Sequence, residues 1–184
     1  MAPYFSVIIP AHNEENYIRP TLHSLKSQTF QDFEVIVVAN GCTDETEDIV
    51  KKRANERLRL LSLPKANVSV ARNAGALNAQ GKLLLFLDAD TRLEDDALRM
   101  IKEQFQDNHA IATTKVLPDS AELKFRILMG LKNFDNQTKI FKGFSGTIIC
   151  RKDDFHKVGG YNPNLRVKEN HELRQKLEQL GEYH

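Results

Sequence analysis

Three largely apolar runs decide what this chain can fold into: "FSVIIP" from Phe5, "FEVIVVA" from Phe33 and "LLLFL" from Leu83, each breaking off at a polar cluster. They are rich in β-branched residues or too short for helices, so they predict strands. Continuous rather than alternating apolarity predicts strands covered on both faces. Between the first two, Ile18, Leu22 and Leu25 keep helical spacing, with Pro20 tolerable in the first turn. After Gly41, Thr43 and Asp44 are candidate N-caps for a helix with acidic residues in its first turn. "RLRLLSL" predicts a third strand, "VARNAGALNAQG" a short helix closed by Gly81, and Ala97, Leu98, Ile101 and Phe105 a helix before the strand "AIATTKV". Strands alternating with helices predict an α/β fold, a three-layer α/β/α sandwich on a mostly parallel sheet with right-handed crossovers.

The last third is less regular. Pro118 to Lys142 is polar and partly helical around "LKFRILMGLKNF", and is expected to cover one sheet edge. "FSGTIICRKDDF" reads as a returning strand followed by a helix starting at Asp153 or Asp154, and "VGGYNPNL" as a turn. From Glu169, Leu173, Leu177 and Leu180 mark a final helix, after which the chain stops without a closing strand. The 184 residues suit one domain.

A net charge of +1, with basic residues scattered outside "KKRANERLR", excludes the broad basic footprint of a nucleic-acid binder. Cys42 and Cys150 lie far apart without metal-ligand spacing, which predicts a reducing, cytoplasmic setting. No signal peptide opens the chain, and no apolar run is long enough to cross a bilayer. Sequons occur at Asn67 and Asn136.

The chemistry-bearing residues cluster at strand ends. "PAHNEE" follows the first strand, "ANGCTD" the second, "VARNAG" lies after the third, and "DAD" ends the fourth, where ligands of parallel sheets bind. Asp88 and Asp90, two apart in extended chain, would project to one side while Ala89 points away. Hard oxygen ligands at that separation suit Mg²⁺ or Mn²⁺ with a diphosphate completing the shell, although Asp-x-Asp by itself is equally a strand end and helix cap.

Taken together, "FSVIIPAHNEENYI", "FEVIVVANGCTDET", "VARNAGALNAQGKLLLFLDADT" and "GFSGTIICRKDDFHKVGGYN" resemble the family 2 glycosyltransferases of the GT-A fold over nearly the whole chain. The resemblance implies a metal-dependent, inverting transfer from a nucleotide-sugar donor to a saccharide or lipid-linked acceptor. It also implies residues 1–117 as the donor-binding part and 118–184 as the acceptor side, incomplete at its end, with peripheral association at the inner face of a membrane. Pro10, Asn13 and Glu14 would line the nucleoside pocket, Arg72 would lie near the base and phosphates, Asp90 would bind Mn²⁺ or Mg²⁺, and Asp88 would contact the ribose or the metal and its hydration. At each position a plainer role competes: Glu14 as a first-turn acid, Arg72 as a surface charge, Asn13 as a helix cap.

Two departures stand out. Where the family usually carries Asp-Asp-Gly-Ser-Thr-Asp, this chain has Ala39 to Asp44, and Asn40 takes the place of an aspartate that receives the N–H of uracil. An amide oxygen still accepts that bond, whereas guanine would prefer a carboxylate, which favours a UDP-sugar. The family's Glu-Asp pair, which supplies the base, is here Glu169 and Asn170. Glu169 is then the candidate base, with Glu172 one turn along and His171 between, against the reading that both acids merely favour a helix's first turn. The resemblance makes "GFSG" the floor of the sugar and acceptor site; a nucleophile elbow is ruled out by Thr147. A pyrophosphorylase lacks its glycine-rich basic loop here, and a dehydrogenase its Gly-x-Gly-x-x-Gly. The remaining rival is a non-catalytic or weakly active nucleotide-sugar-binding module, kept open by Asn170.

Overall fold

A computed structural model describes residues 2–114, 147–165 and 167–183. Expectations for the segment around "LKFRILMGLKNF", for "GFSG" and for Asn136 lie outside the described residues. The strands are β1 (Phe5–Ala11), β2 (Phe33–Asn40), β3 (Leu58–Leu63), β4 (Leu83–Phe86), β5 (His109–Thr113), β6 (Ile148–Arg151) and β7 (Glu182–Tyr183). The helices are α1 (Ile18–Lys26), α2 (Thr46–Lys51), α3 (Val68–Asn78), α4 (Ala97–Gln104), α5 (Lys152–Lys157) and α6 (Glu169–Leu177). One sheet runs in the order β3-β2-β1-β4-β6-β5-β7. β3, β2, β1 and β4 are parallel, and β6 runs antiparallel to both β4 and β5.

Both faces of the sheet are covered, which is why the strand sequences do not alternate in polarity. Phe5, Val7, Ile9, Val35, Val37 and Leu85 point into one apolar layer with Ile18, Leu22 and Leu25 of α1, Ile49 and Val50 of α2 and Leu98 of α4. Ile8, Ile36, Val38, Leu84 and Phe86 point into the other with Ala71 and Ala76 of α3, Phe155 of α5 and Leu173 and Leu177 of α6. Three layers result, the fold class expected.

Several boundaries differ from the sequence expectation. α3 begins at Val68, two residues before the expected start, because Asn67 caps it: its Oδ1 accepts from Val70 N at 3.0 Å. Gly81 does not close that helix. It lies in the bend before β4, where a Cβ would meet the backbone of Phe5 and Ser6 at 2.6 Å. A closing strand does exist: β7 pairs in parallel with β5, fastened by Glu182 N to Asn108 O (2.8 Å) and by Thr113 Oγ1 with Tyr183 Oη (3.0 Å). Two residues without an apolar run carry no strand signal of their own; the partner strand makes them one.

Two features hold α3 against the sheet. Gly75 sits directly over β1, and a Cβ there would fall 2.3 Å from Ile8 Cγ2. Just past the helix's C-terminus, the buried Glu34 carboxylate collects Ser6 Oγ (2.7 Å), Gln80 N (2.6 Å) and Arg59 Nη2 (2.5 Å), tying β1, β2, β3 and the α3–β4 turn together. Burial pushes the Glu34 carboxyl up, but the donors Gln80 N, Ser6 and Arg59 outweigh it and hold the group below its ordinary 4.5.

Gly75→Ala should destabilise the fold by about 1–3 kcal/mol through overpacking against Ile8, read from urea unfolding. Glu34→Gln should cost about 2 kcal/mol near neutral pH. Because the native carboxyl is the stronger acid, its contribution is complete above 4.5 and is lost as pH falls through the lowered native value, so the gap between wild type and variant should close in acid.

Candidate functional site

The parallel strands deliver three loops to one edge. β1 and β2 are in register to their ends, with Ala11 opposite Ala39. The loops that follow them are stitched together: Glu14 N donates to Thr46 Oγ1 (2.7 Å), Glu15 N to Asp44 Oδ2 (3.0 Å), Thr43 N to Asn13 Oδ1 (2.8 Å) and Glu45 N to Glu15 Oε2 (3.0 Å). Asp44 Oδ1 also accepts Thr46 N at the start of α2 (2.9 Å). These donors overcome the effect of burial and hold its carboxyl below the ordinary aspartate range. Asn13 adopts a left-handed backbone (φ 57°), which asparagine tolerates and which turns its side chain toward Thr43.

A chain of carboxamides joins the next loops. Asn40, buried at the end of β2, donates from Nδ2 to Ala11 O (2.8 Å) and accepts Asn67 N on Oδ1 (2.9 Å), while its carbonyl meets His12 Nδ1 at 2.8 Å. Asn67 passes the connection on, its Nδ2 donating to Pro163 O (3.0 Å). Asn73 grips Tyr161 on both sides, donating to its carbonyl (2.7 Å) and accepting its N–H (2.9 Å). An aspartate at position 40 could not donate to Ala11 O, so the departure at Asn40 has a structural reason.

Beyond β4, Thr91 N closes a turn onto Asp88 O (3.0 Å), and Thr21 Oγ1 donates to the carbonyl of the buried Ala89 (2.7 Å). Asp88 and Asp90 are therefore exposed with Ala89 between them turned inward, the expected alternation carried by a turn rather than by strand. Pro10, Glu14, Asn40, Asp88 and Asp90 line one open cleft of about 410 Å³ together with His12 and Asn67. Burial, and then the charges of Asp90, Asp44 and Asp88, push the Glu14 carboxyl above its ordinary value.

Arg72 is not in the cleft wall. It is 5% exposed, on α3, and its guanidinium donates Nη2 to Asp88 Oδ1 (3.0 Å) and Nη1 to Glu169 Oε1 (3.1 Å) and Asn170 Oδ1 (3.2 Å). The Tyr161 ring lies 5.1 Å from its Cζ. Burial would lower the guanidinium's pKa, but Tyr161, Asp88 and Glu169 together hold it above the ordinary arginine value. The arginine is thus a buried hub, not a surface charge, and through it Glu169 is brought to Asp88. Glu172 instead pairs with Lys176 (2.6 Å).

Asn13 stands outside the cleft as a loop clip. His12 and Asn67 were missed by sequence reasoning. His12 sits inside the quoted polar cluster after β1, a signal that could have found it; Asn67 lay just before the expected helix start. Its side chain is engaged as a cap and a loop tie, which explains its place without glycosylation.

The donor set fits a hard cation. Burial and then the neighbouring acids raise the Glu14 carboxyl, and a divalent ion would relieve the crowding of carboxylates in the cleft. Among the described residues no three His, Cys, Asp or Glu side chains form a closed metal site. The fit is therefore to a cation whose shell a ligand's oxygens complete. Among the described residues no helix is long and apolar enough to cross a membrane.

Comparison with known proteins matches residues 6–166 to the family described as glycosyl transferase family 2. The chain is 27% identical over 186 residues to glycosyltransferase GlyA of Streptococcus pneumoniae, covering 96% of this chain and 26% of that protein. It is 36% identical over 99 residues to the putative teichuronic acid biosynthesis glycosyltransferase TuaG of Bacillus subtilis, covering 52% and 39%. Among solved structures, Staphylococcus aureus TarS in complex with UDP-GlcNAc matches with a TM-score of 0.74 and 26% identity, over 95% of this chain and 53% of that one. Mannosyltransferase PcManGT from Pyrobaculum calidifontis, in complex with GDP-Man and Mn²⁺, shares the fold with a TM-score of 0.76 at 19% identity, over 98% and 53%. The chain thus spans about a quarter of GlyA and about half of these solved chains.

Asn67→Ala should cost about 1 kcal/mol through loss of the α3 cap, measured by thermal unfolding. Asn67→Asp, which keeps the capping oxygen and loses the donor to Pro163, should restore part of that loss.

Proposed function

Because the chain belongs to glycosyl transferase family 2, we propose that it transfers a sugar, with inversion at the anomeric carbon, from a UDP-sugar to an acceptor hydroxyl. The observation that carries this reading is the acid rim at the end of β4, where Asp88, Asp90 and Glu14 line one cleft. The UDP and UDP-GlcNAc complexes of the S. aureus neighbour support a uridine donor.

Pro10 and His12 wall the nucleoside, and Asn40 keeps one lone pair on Oδ1 with which to accept the N–H of uracil. Asp90, with Asp88, holds Mg²⁺ or Mn²⁺, which when bound stabilises the negative charge of the departing diphosphate. Glu169 takes the proton of the acceptor hydroxyl as its oxygen attacks the anomeric carbon from the face opposite the diphosphate. The carbon–oxygen bond to the diphosphate breaks with its electron pair, and UDP leaves. Arg72 holds Glu169 beside Asp88 without entering the cleft. Asn170, which cannot take a proton, favours a second reading, a module that binds nucleotide sugars without turning them over.

Release of UDP from a panel of UDP-sugars, with Mn²⁺ and candidate saccharide acceptors, tests both. Asp88→Ala with Asp90→Ala should lower turnover about a hundredfold or more and weaken UDP binding. Binding without turnover across the panel would favour the module; affinity and transfer both unchanged in the double variant would sink the proposal.

A further inference from the structure

Arg72 is the point where the two sides of the site meet. Its partners lie far apart in the chain, Asp88 beyond β4 and Glu169 with Asn170 in the first turn of α6. A guanidinium is a planar fork, and here each prong serves a different element: Nη2 turns to Asp88 and Nη1 to α6. The fork is held from behind by the Tyr161 ring, whose backbone Asn73 of the same helix clamps on both sides. Asn170 is neutral, so one positive charge is divided between two carboxylates rather than three.

We propose that Arg72 is a positioning residue coupling the acid pair after β4 to the first turn of α6, so that the side chain at 169 governs how strongly Asp88 can hold a divalent cation. This rests on the functional reading above. With Glu169 ionised, the guanidinium is shared and Asp88 keeps much of its negative charge for a cation. Neutralising position 169 turns the guanidinium toward Asp88, and this change, which needs Arg72, weakens cation binding more than the direct loss of one remote charge, which acts in every background. An acceptor that engages Glu169 would thereby alter the donor side, and the reverse follows by linkage.

The test is a double-mutant cycle read by Mn²⁺ titration with UDP held constant, followed by calorimetry. Glu169→Gln should weaken Mn²⁺ binding by at least about threefold in the wild-type background and by less than about 1.5-fold in an Arg72→Met background. Arg72→Lys keeps the charge but has one nitrogen for two partners, so it too should shrink the effect; it serves in place of the methionine variant if that fails to fold. The same effect in both backgrounds, or none in the wild type, overturns the coupling. A wild type that binds neither Mn²⁺ nor UDP overturns the functional reading and the coupling with it, whereas binding without coupling sinks the coupling alone.

Discussion

A guanidinium buried at the edge of an apolar core must be neutralised where it sits, because an unpaired charge there costs several kcal/mol. Arg72 meets that requirement with Asp88 on one side and Glu169 on the other, and most of the site's geometry follows. α3 has to lie close to the sheet for Arg72 to reach the end of β4, and Gly75 permits that approach one turn further along the helix. α6 has to begin where its first turn can offer Glu169 and Asn170. The ionic contact is thus supported by backbone placement on every element that reaches it.

Around this hub the edge of the sheet is fixed by the Asp44 and Glu15 carboxylates and by a set of neutral carboxamides. Asn40, Asn67 and Asn73 connect β1, β2, α3 and the loop before α6, each using both ends of its carboxamide. Carboxamides suit this work because each both donates and accepts, so two loops can be tied through one side chain without importing charge. In the cleft itself, Glu14, Asp88 and Asp90 form an acidic rim.

The layers and most of the elements were legible in the sequence, since apolar runs and helical spacing are local signals. The polar clusters at strand ends predicted one shared edge, and Pro10, Glu14, Asn40, Asp88 and Asp90 line a single cleft there. Asn13, expected in the nucleoside pocket, does not line that cleft; its left-handed backbone goes with an oxygen that accepts Thr43 N, a contact no local pattern announces. β7 and the true start of α3 were hidden, one being two residues paired by their neighbour and the other depending on the Asn67 cap.

The sequence by itself determined most of the strands and helices, that strands would be covered on both faces, and that two acids would follow the fourth strand. Those properties are written in periods of two and 3.6 residues, within reach of a short window. Only the tertiary structure decided that Arg72 would turn away from the cleft to bind Glu169, or that Asn40 would spend its amide on Ala11 and Asn67. Such bonds join residues far apart in the chain, and their geometry exists only once the sheet has brought the strand ends together.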